Sequence, residues 1–432
     1  GGIYISCAMF SGAGTLTANG RDGAAYAGVG GGGRIAIACT NCLGWSGVTQ
    51  AKPGTGGYAP GWHGTLYVRD ARFLSPVSTT NQLFQLWGVP AWSPASLWMS
   101  NSYLGLIDPE FTLNVTNDLM LVGSTLEKTN SGFAVGGKLT LDGSRMYLNG
   151  FSTSLVSLSV GGSMLMTNGS ALHVYSGMTN GVSPDYGALV SVKGTLAMAG
   201  GCTNCPYSHN TNGGSVLFRL GGLSLAAGAR IDADGKGYAG FLPGDSYHAG
   251  RGPGGGRGEL NPYISGAGYG GQGGKASAGY GLTYGSTNAP IAPGSGASCP
   301  GTAYADLDQA GGGSVRIDAT GGRVTVDGII TATTSGDGNV GQYIGGGAGG
   351  GIYIVCKTFA GSGSLNAKGA NHTSAGDGGA GGGGRIAVWS QVRTFTTNNA
   401  TAAGGTSPVQ PGGAGTIVWG VLQEPGTVFM VH

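Results

Sequence analysis

The chain has 432 residues, of which 94 are glycine and only 9% are charged. Its 21 basic and 19 acidic side chains leave a net charge of +2, without the clustered Lys and Arg that nucleic acid or an anionic membrane surface requires. A disordered low-complexity chain is excluded as well, because 40% of the residues are hydrophobic and fall in alternating runs that only a folded core uses.

The first element, Gly2-Ile3-Tyr4-Ile5-Ser6-Cys7, alternates with period two and reads as a half-buried strand with Ile3, Ile5 and Cys7 on one face. It returns as Gly351-Ile352-Tyr353-Ile354-Val355-Cys356. Three further elements recur in the same order. Gly12-Ala13-Gly14-Thr15-Leu16-Thr17-Ala18-Asn19-Gly20 matches 361–369, Gly33-Arg34-Ile35-Ala36-Ile37 matches 384–388, and Gly64-Thr65-Leu66-Tyr67-Val68 matches 415–419. The offset holds at 349 to 351 residues, and strand starts within each copy are 31 to 37 residues apart. Weaker copies begin at Gly214 and Gly313. The central stretch carries shorter runs, among them Leu139-Thr140-Leu141, Leu155–Val160 and Ala188–Val192.

Short strands with few helical segments fit either a sandwich or a solenoid, but only a solenoid has a reason to repeat its sequence, since each coil stacks on its neighbour about 4.8 Å away. The expected fold is therefore all-β, a right-handed parallel β-helix with glycine-rich loop insertions and with Ile3, Ile35, Ile352 and Ile386 pointing inward. The expected organisation is glycine-rich coils over 1–82, an aromatic-rich segment over 83–110, central coils over 111–235, a glycine-rich insertion over 236–310 and the second repeat copy over 311–432. The insertion is read either as packed polyproline-II-like segments or as a flap. The charge-free stretch 73–107 is too rich in Ser, Asn, Gln and Pro to span a bilayer.

The Gly-Gly-Ile-Tyr-Ile, Leu-x-Ala-x-Gly and Gly-Gly-Gly-Gly-Arg-Ile-Ala elements resemble those of large glycine-rich bacterial surface proteins, akin to autotransporter passengers and β-helical adhesins. The resemblance covers 1–70 and 310–420. It implies secretion and a β-helix, and it carries no catalytic motif.

Candidate sites are few. Two Cys-Thr-Asn-Cys tetrapeptides, Cys39 to Cys42 and Cys202 to Cys205, read as local disulfides, with free thiols or a metal site as the alternatives. Asp232-Ala233-Asp234-Gly235 has the start of a calcium loop but lacks its later acidic ligand, so a turn stands beside calcium as its reading. The other close acidic pairs are Asp306 with Asp308 and Asp108 with Glu110. Trp87, Trp92, Trp98 and Tyr103 crowd one glycine-poor segment, as a packing interface or as a surface for sugar rings. The expected role is non-enzymatic: an extracellular fibre, coat or adhesin module whose partner is itself, through head-to-tail stacking of open β-helix ends, with one period of a longer tandem array and a capped monomer as the alternatives, and with surface polysaccharide as a second partner. A carbohydrate-binding or polysaccharide-degrading β-helix protein is the rival reading.

Overall fold

A computed structural model describes residues 1–423 except 26, 58, 60, 75–77, 131, 151–154, 180–182, 241–248, 258–263, 276–278, 299–308, 336–343, 374–377 and 409. Asp306 and Asp308 lie outside the described residues. The fold is a parallel β-solenoid, and every strand pairing described is parallel. The chain divides into two compact units, one of residues 1–151 with 156–172 and the other of 152–155 with 173–432. The aromatic-rich segment expected over 83–110 is thus part of the first unit's coils.

In the first unit, Gly2–Gly12 pairs with Arg34–Trp45 and that strand with Thr65–Val68, in the register Ile3 to Ile35 to Leu66. Beyond these wide coils the unit narrows to coils with three short strands each. One ladder runs Ser78–Thr80, Leu97–Ser100, Leu119–Val122, Leu139–Asp142, Met164–Thr167. A second runs Leu83–Trp87, Tyr103–Leu106, Thr125–Thr129, Arg145–Asn149. A third runs Ala91–Trp92, Thr112–Val115, Phe133–Val135, Val156–Val160. Strand alternation sends one residue in two inward, so stacked columns such as Leu97, Leu119, Leu139 and Met164 form the core.

The corner between the first two ladders has its own device. Asn101, Gly123, Gly143 and Gly169 take positive φ of 47°, 54°, 55° and 69°, and each is followed by a serine. The Ser102 N–H donates to Ser124 Oγ, Ser124 N–H to Ser144 Oγ, and Ser144 N–H to Ser170 Oγ, at 3.1, 3.0 and 3.0 Å. The hydroxyls of Ser102, Ser124 and Ser144 each donate to the carbonyl two residues back, at 2.8 to 2.9 Å. A bend that would leave backbone groups unpaired inside the protein is thereby satisfied coil by coil.

In the second unit, Ala188–Met198, Val216–Leu225, Ser314–Val326, Gly351–Ala360, Arg385–Arg393 and Thr416–Val421 form one ladder. The short strands Thr203–Tyr207, Arg230–Asp232, Ile329–Thr331, Ser364–Asn366 and Ala400–Thr401 form another. Ile35, Ile352 and Ile386 are fully buried as expected, while Ile3, in the first strand of its ladder, is half-buried.

Beside these ladders the glycine-rich segments pack on one another. Around residues 264–274, backbone bonds reach Gly254, Gly281, Gly346, Gly383 and Gly413. A β-strand can bond only to a neighbour on either side, whereas a three-residue-per-turn extended helix points its groups in three directions. The described part of the insertion is therefore packed, in the manner of a glycine bundle, and not a flap. A Cβ on Gly349 would lie 2.3 Å from the Ala367 carbonyl oxygen, and one on Gly382 would lie 2.2 Å from that of Gly271. Tyr269 is fully buried within this layer, with the Arg385 guanidinium 5.5 Å from its ring centre.

One core column carries a charge. Lys128 lies inside the first unit between Leu106 and Leu148, and its ammonium donates to the Thr129 carbonyl. Burial lowers its pKa to about 8, against the opposing charge of Asp108. A folded pKa below the unfolded one means that the unfolded chain holds more protons between these values, so stability rises as pH climbs from about 8 toward 10.5. Lys128→Met should remove that pH dependence and raise stability at neutral pH by about 1–4 kcal/mol, measured by urea denaturation across pH. In the glycine layer, Gly349→Ala should cost about 1–3 kcal/mol through overpacking. Gly28→Ala, where a Cβ meets nothing within 4 Å, should leave the thermal melt unchanged.

Candidate functional site

Among the described residues, Arg230, Asp232, Asp234 and Lys236 form a connected group of ion pairs on the second unit's short-strand ladder. Register sets Thr203 beside Arg230 and Arg230 beside Ile329, and it sets Asp232 beside Thr331. Alternate side chains of these strands therefore share one outward face. After Asp232 the chain turns: the Asp234 N–H donates to Asp232 Oδ1 at 3.0 Å, and Gly235 takes a φ of 63°. This turn brings Lys236 back, so that its Nζ donates to Asp232 Oδ1 at 2.9 Å and to the Asp234 carbonyl at 3.1 Å. Arg230 Nη2 spans both carboxylates, 3.4 Å from Asp232 and 3.2 Å from Asp234. The remaining Asp234 oxygen accepts from the Thr333 N–H at 2.7 Å and from the Thr331 hydroxyl.

Burial pushes the Asp232 carboxyl pKa upward, but the hydrogen bond and charge of Lys236, the Asp234 N–H and Arg230 together hold it below its ordinary value. The Lys236 ammonium lies 5.3 Å from the Tyr207 ring centre, and Tyr207 stacks on Tyr175 at 4.1 Å with 12° between planes. Burial raises the Tyr207 hydroxyl pKa.

This arrangement favours the turn reading of Asp232 and Asp234 over calcium. Calcium takes 6–8 oxygen ligands, whereas these two carboxylates already face two cations, and among the described residues no three His, Cys, Asp or Glu side chains gather as a metal site. The signal was visible in the sequence, since Arg230 and Lys236 lie two residues to either side of the acidic pair. The cluster is a seam. Asp234 fastens to Thr331 and Thr333, the far side of the glycine-rich excursion, and so closes it.

The two Cys-Thr-Asn-Cys tetrapeptides differ. Cys39 and Cys42 form a disulfide with Cα atoms 6.1 Å apart. Cys202 and Cys205 are buried free thiols, contrary to expectation. The first pair lies where one extra residue enters Arg34–Trp45: Met9 pairs with Asn41 but Ser11 with Gly44. That bulge kinks the strand. The second pair enters the regular strand Thr203–Tyr207, where side chains three residues apart point to opposite faces. Cys7 and Cys356 are also free.

The four aromatics crowded in the sequence form no single patch. Trp92 is in the core, Trp98 is 53% exposed on the ladder through Leu97–Ser100, and Trp87 ends Leu83–Trp87 beside Tyr67. Tyr103 stacks on His63 at 3.7 Å and donates to Glu127 at 2.8 Å. Burial lowers the His63 pKa to about 4, so the stacked imidazole is neutral at physiological pH. Asp108 accepts from the Glu110 N–H at 3.0 Å, a local turn.

Neither a protein-family model, nor a curated protein, nor a solved structure matches the chain.

Burial raises the Cys205 thiol pKa to about 11 and the Cys356 thiol pKa to about 12, which leaves both as unreactive thiols at pH 8. Native iodoacetamide treatment should spare Cys205 and Cys356, and denaturation without reductant should leave Cys7, Cys202, Cys205 and Cys356 alkylatable and Cys39 and Cys42 protected. Peptide mass spectrometry finding Cys202 joined to Cys205 would overturn the assignment.

Proposed function

We propose that the chain is a structural module of an extracellular fibre, coat or adhesin, and that copies of it stack end to end into a longer solenoid. One observation carries the reading: the strand that opens with Gly2-Ile3-Tyr4-Ile5 repeats Gly351-Ile352-Tyr353-Ile354, which is stacked inside a parallel ladder of this same chain. Among the described residues Gly2–Gly12 pairs only with Arg34–Trp45, and Thr416–Val421 only with Arg385–Arg393. Ile3 and Ile5 are half-buried where their stacked partners Ile35 and Ile37 are fully buried. At the other ladder end, Ile417 is 39% and Val421 68% exposed, although Ile386 beneath Ile417 is wholly buried.

The strand that fits against either one is a further copy of this repeat, from a second chain or from more of the same one. Gly2-Ile3-Tyr4-Ile5 repeats Gly351-Ile352-Tyr353-Ile354, a segment already stacked in this ladder in the register Ile352 to Ile386 to Ile417. Continuing that register places Ile3 of the next copy on Ile417. Such a contact is heterologous and propagates. The Cys39–Cys42 disulfide supports an oxidising, extracellular setting. The low charge supports the same role, since few Lys or Arg side chains stand against edge pairing. In this reading the module catalyses no reaction.

Sedimentation velocity should show assemblies that grow with concentration through the micromolar range, with filaments in negative-stain micrographs. The double variant Ile417→Lys, Val421→Lys places charge on the exposed apolar positions and should hold the chain monomeric with an unchanged melt. A wild-type chain that stays monomeric throughout would overturn the proposal.

A further inference from the structure

We infer that Cys7, Cys39 and Cys42 form a thiol–disulfide exchange site, in which the bond between Cys39 and Cys42 passes to Cys7 and joins two successive coils of the first unit. The inference does not depend on self-association. In the resting structure Cys39 and Cys42 are bridged and Cys7 is a free thiol. Parallel pairing sets Gly2–Gly12 on Arg34–Trp45 in the register Ile3 to Ile35, Ile5 to Ile37 and Cys7 to Cys39. Side chains two residues apart share a face, so Cys7 continues the column of Ile3 and Ile5, and Cys39 that of Ile35 and Ile37. The free thiol is therefore the cross-strand neighbour of one half of the disulfide.

A disulfide needs Cα atoms about 4.4–6.8 Å apart, and in-register neighbours in a parallel sheet are about 4.8 Å apart. Cys7 and Cys39 meet that requirement with the backbone pairing unchanged. Cys42 does not meet it toward Cys7. It lies beyond Asn41, which already pairs with Met9, and its Cα is 6.1 Å along the strand from that of Cys39. That displacement, added across the strand spacing, takes it past the limit of about 7 Å for a bridge. The exchange is an isomerisation. The Cys7 thiolate attacks Cys39 Sγ, the Cys7–Cys39 bond forms as the Cys39–Cys42 bond breaks, and the electron pair leaves on Cys42 Sγ, which takes a proton from solvent. Nothing is oxidised or reduced overall. Cys7 is only half-buried, so water reaches the residue that must ionise, in contrast to the buried Cys205 and Cys356.

The exchange changes what the bond holds. Between Cys39 and Cys42 it clasps a single bulge. Between Cys7 and Cys39 it closes a whole coil, with the glycine-rich segment 20–33 inside the loop. A longer closed loop constrains the unfolded chain more, so the exchanged bond is the stronger staple. The second repeat copy supplies the contrast. Cys356 stands in the repeat where Cys7 does, but its ladder neighbours are Ala319 and Ser390, with Ser390 at the position of Cys39. The same column there offers Cys356 no sulfur, which confines the exchange to the first copy.

Peptide mapping reads the bond directly. Trypsin places Cys7 on peptide 1–21 and both Cys39 and Cys42 on peptide 35–69, since Pro53 protects the Lys52 bond. The full chain is held at about pH 5 or about pH 8.5, blocked with N-ethylmaleimide and digested without reductant. At the lower pH peptide 35–69 should be found closed on itself. At the higher pH, where thiols ionise, part of it should be joined to 1–21 with Cys42 blocked. Cys42→Ser, oxidised in a glutathione buffer, should join 1–21 to 35–69 and melt higher than the same variant reduced. Cys39→Ser leaves the pair that is out of reach and should yield mixed disulfides with glutathione and at least tenfold less joined peptide. A Cys42→Ser chain that does not cross-link, equal joining in Cys42→Ser and Cys39→Ser, or a wild-type peptide 35–69 closed on itself at both pH values would each overturn the inference.

Discussion

The structure depends on one constraint: backbone groups of each coil are satisfied by the next coil, in parallel and in register, at about 4.8 Å. Under that rule the neighbour of any residue is its counterpart one coil away. Inward columns must then be apolar throughout, as in Leu97, Leu119, Leu139 and Met164. A corner solved once must be solved the same way in every coil, which is why a left-handed residue followed by serine recurs at Ser102, Ser124, Ser144 and Ser170. Irregularities stack too. The long strands of the second unit shift register at corresponding places, between Val192 and Thr195, Arg219 and Leu223, and Ala319 and Arg323.

The same constraint explains the glycine. Loops leaving successive coils start one strand spacing apart, so loops that pack on one another have backbone against backbone on several sides. At Gly349 and Gly382 a single methyl group would overlap a carbonyl oxygen of the adjoining segment. Side chains in this layer survive only where room is made for them, as for Tyr269 beneath the Arg385 guanidinium. The flank of the second unit is therefore largely a backbone surface, which accords with a chain of so few charged residues.

The elements legible in the sequence were those the stacking rule repeats. The matched Gly-Ile-Tyr-Ile and Arg-Ile-Ala strands disclosed the solenoid and the inward Ile35, Ile352 and Ile386. What escaped was set by pairing between coils. Identical Cys-Thr-Asn-Cys tetrapeptides met different fates because a bulge opposite Ser11 exists in one strand and not in the other. Trp87, Trp92 and Trp98, close in sequence, separated onto different ladders because the narrow coils turn a corner every few residues. The serine corner, by contrast, was present in plain view as Gly-Ser or Asn-Ser at 20-residue to 26-residue intervals.

Stacking of copies in a chain of low charge requires something that keeps association orderly. Most exposed edges are guarded by charge or proline against indiscriminate pairing. Here the repeat supplies the order: Gly-Ile-Tyr-Ile presents Ile3 and Ile5 as counterparts of Ile352 and Ile354, whose register on Ile386 and Val388 is already set within this chain. In the proposed assembly the sequence repeat is what makes one solenoid able to continue another.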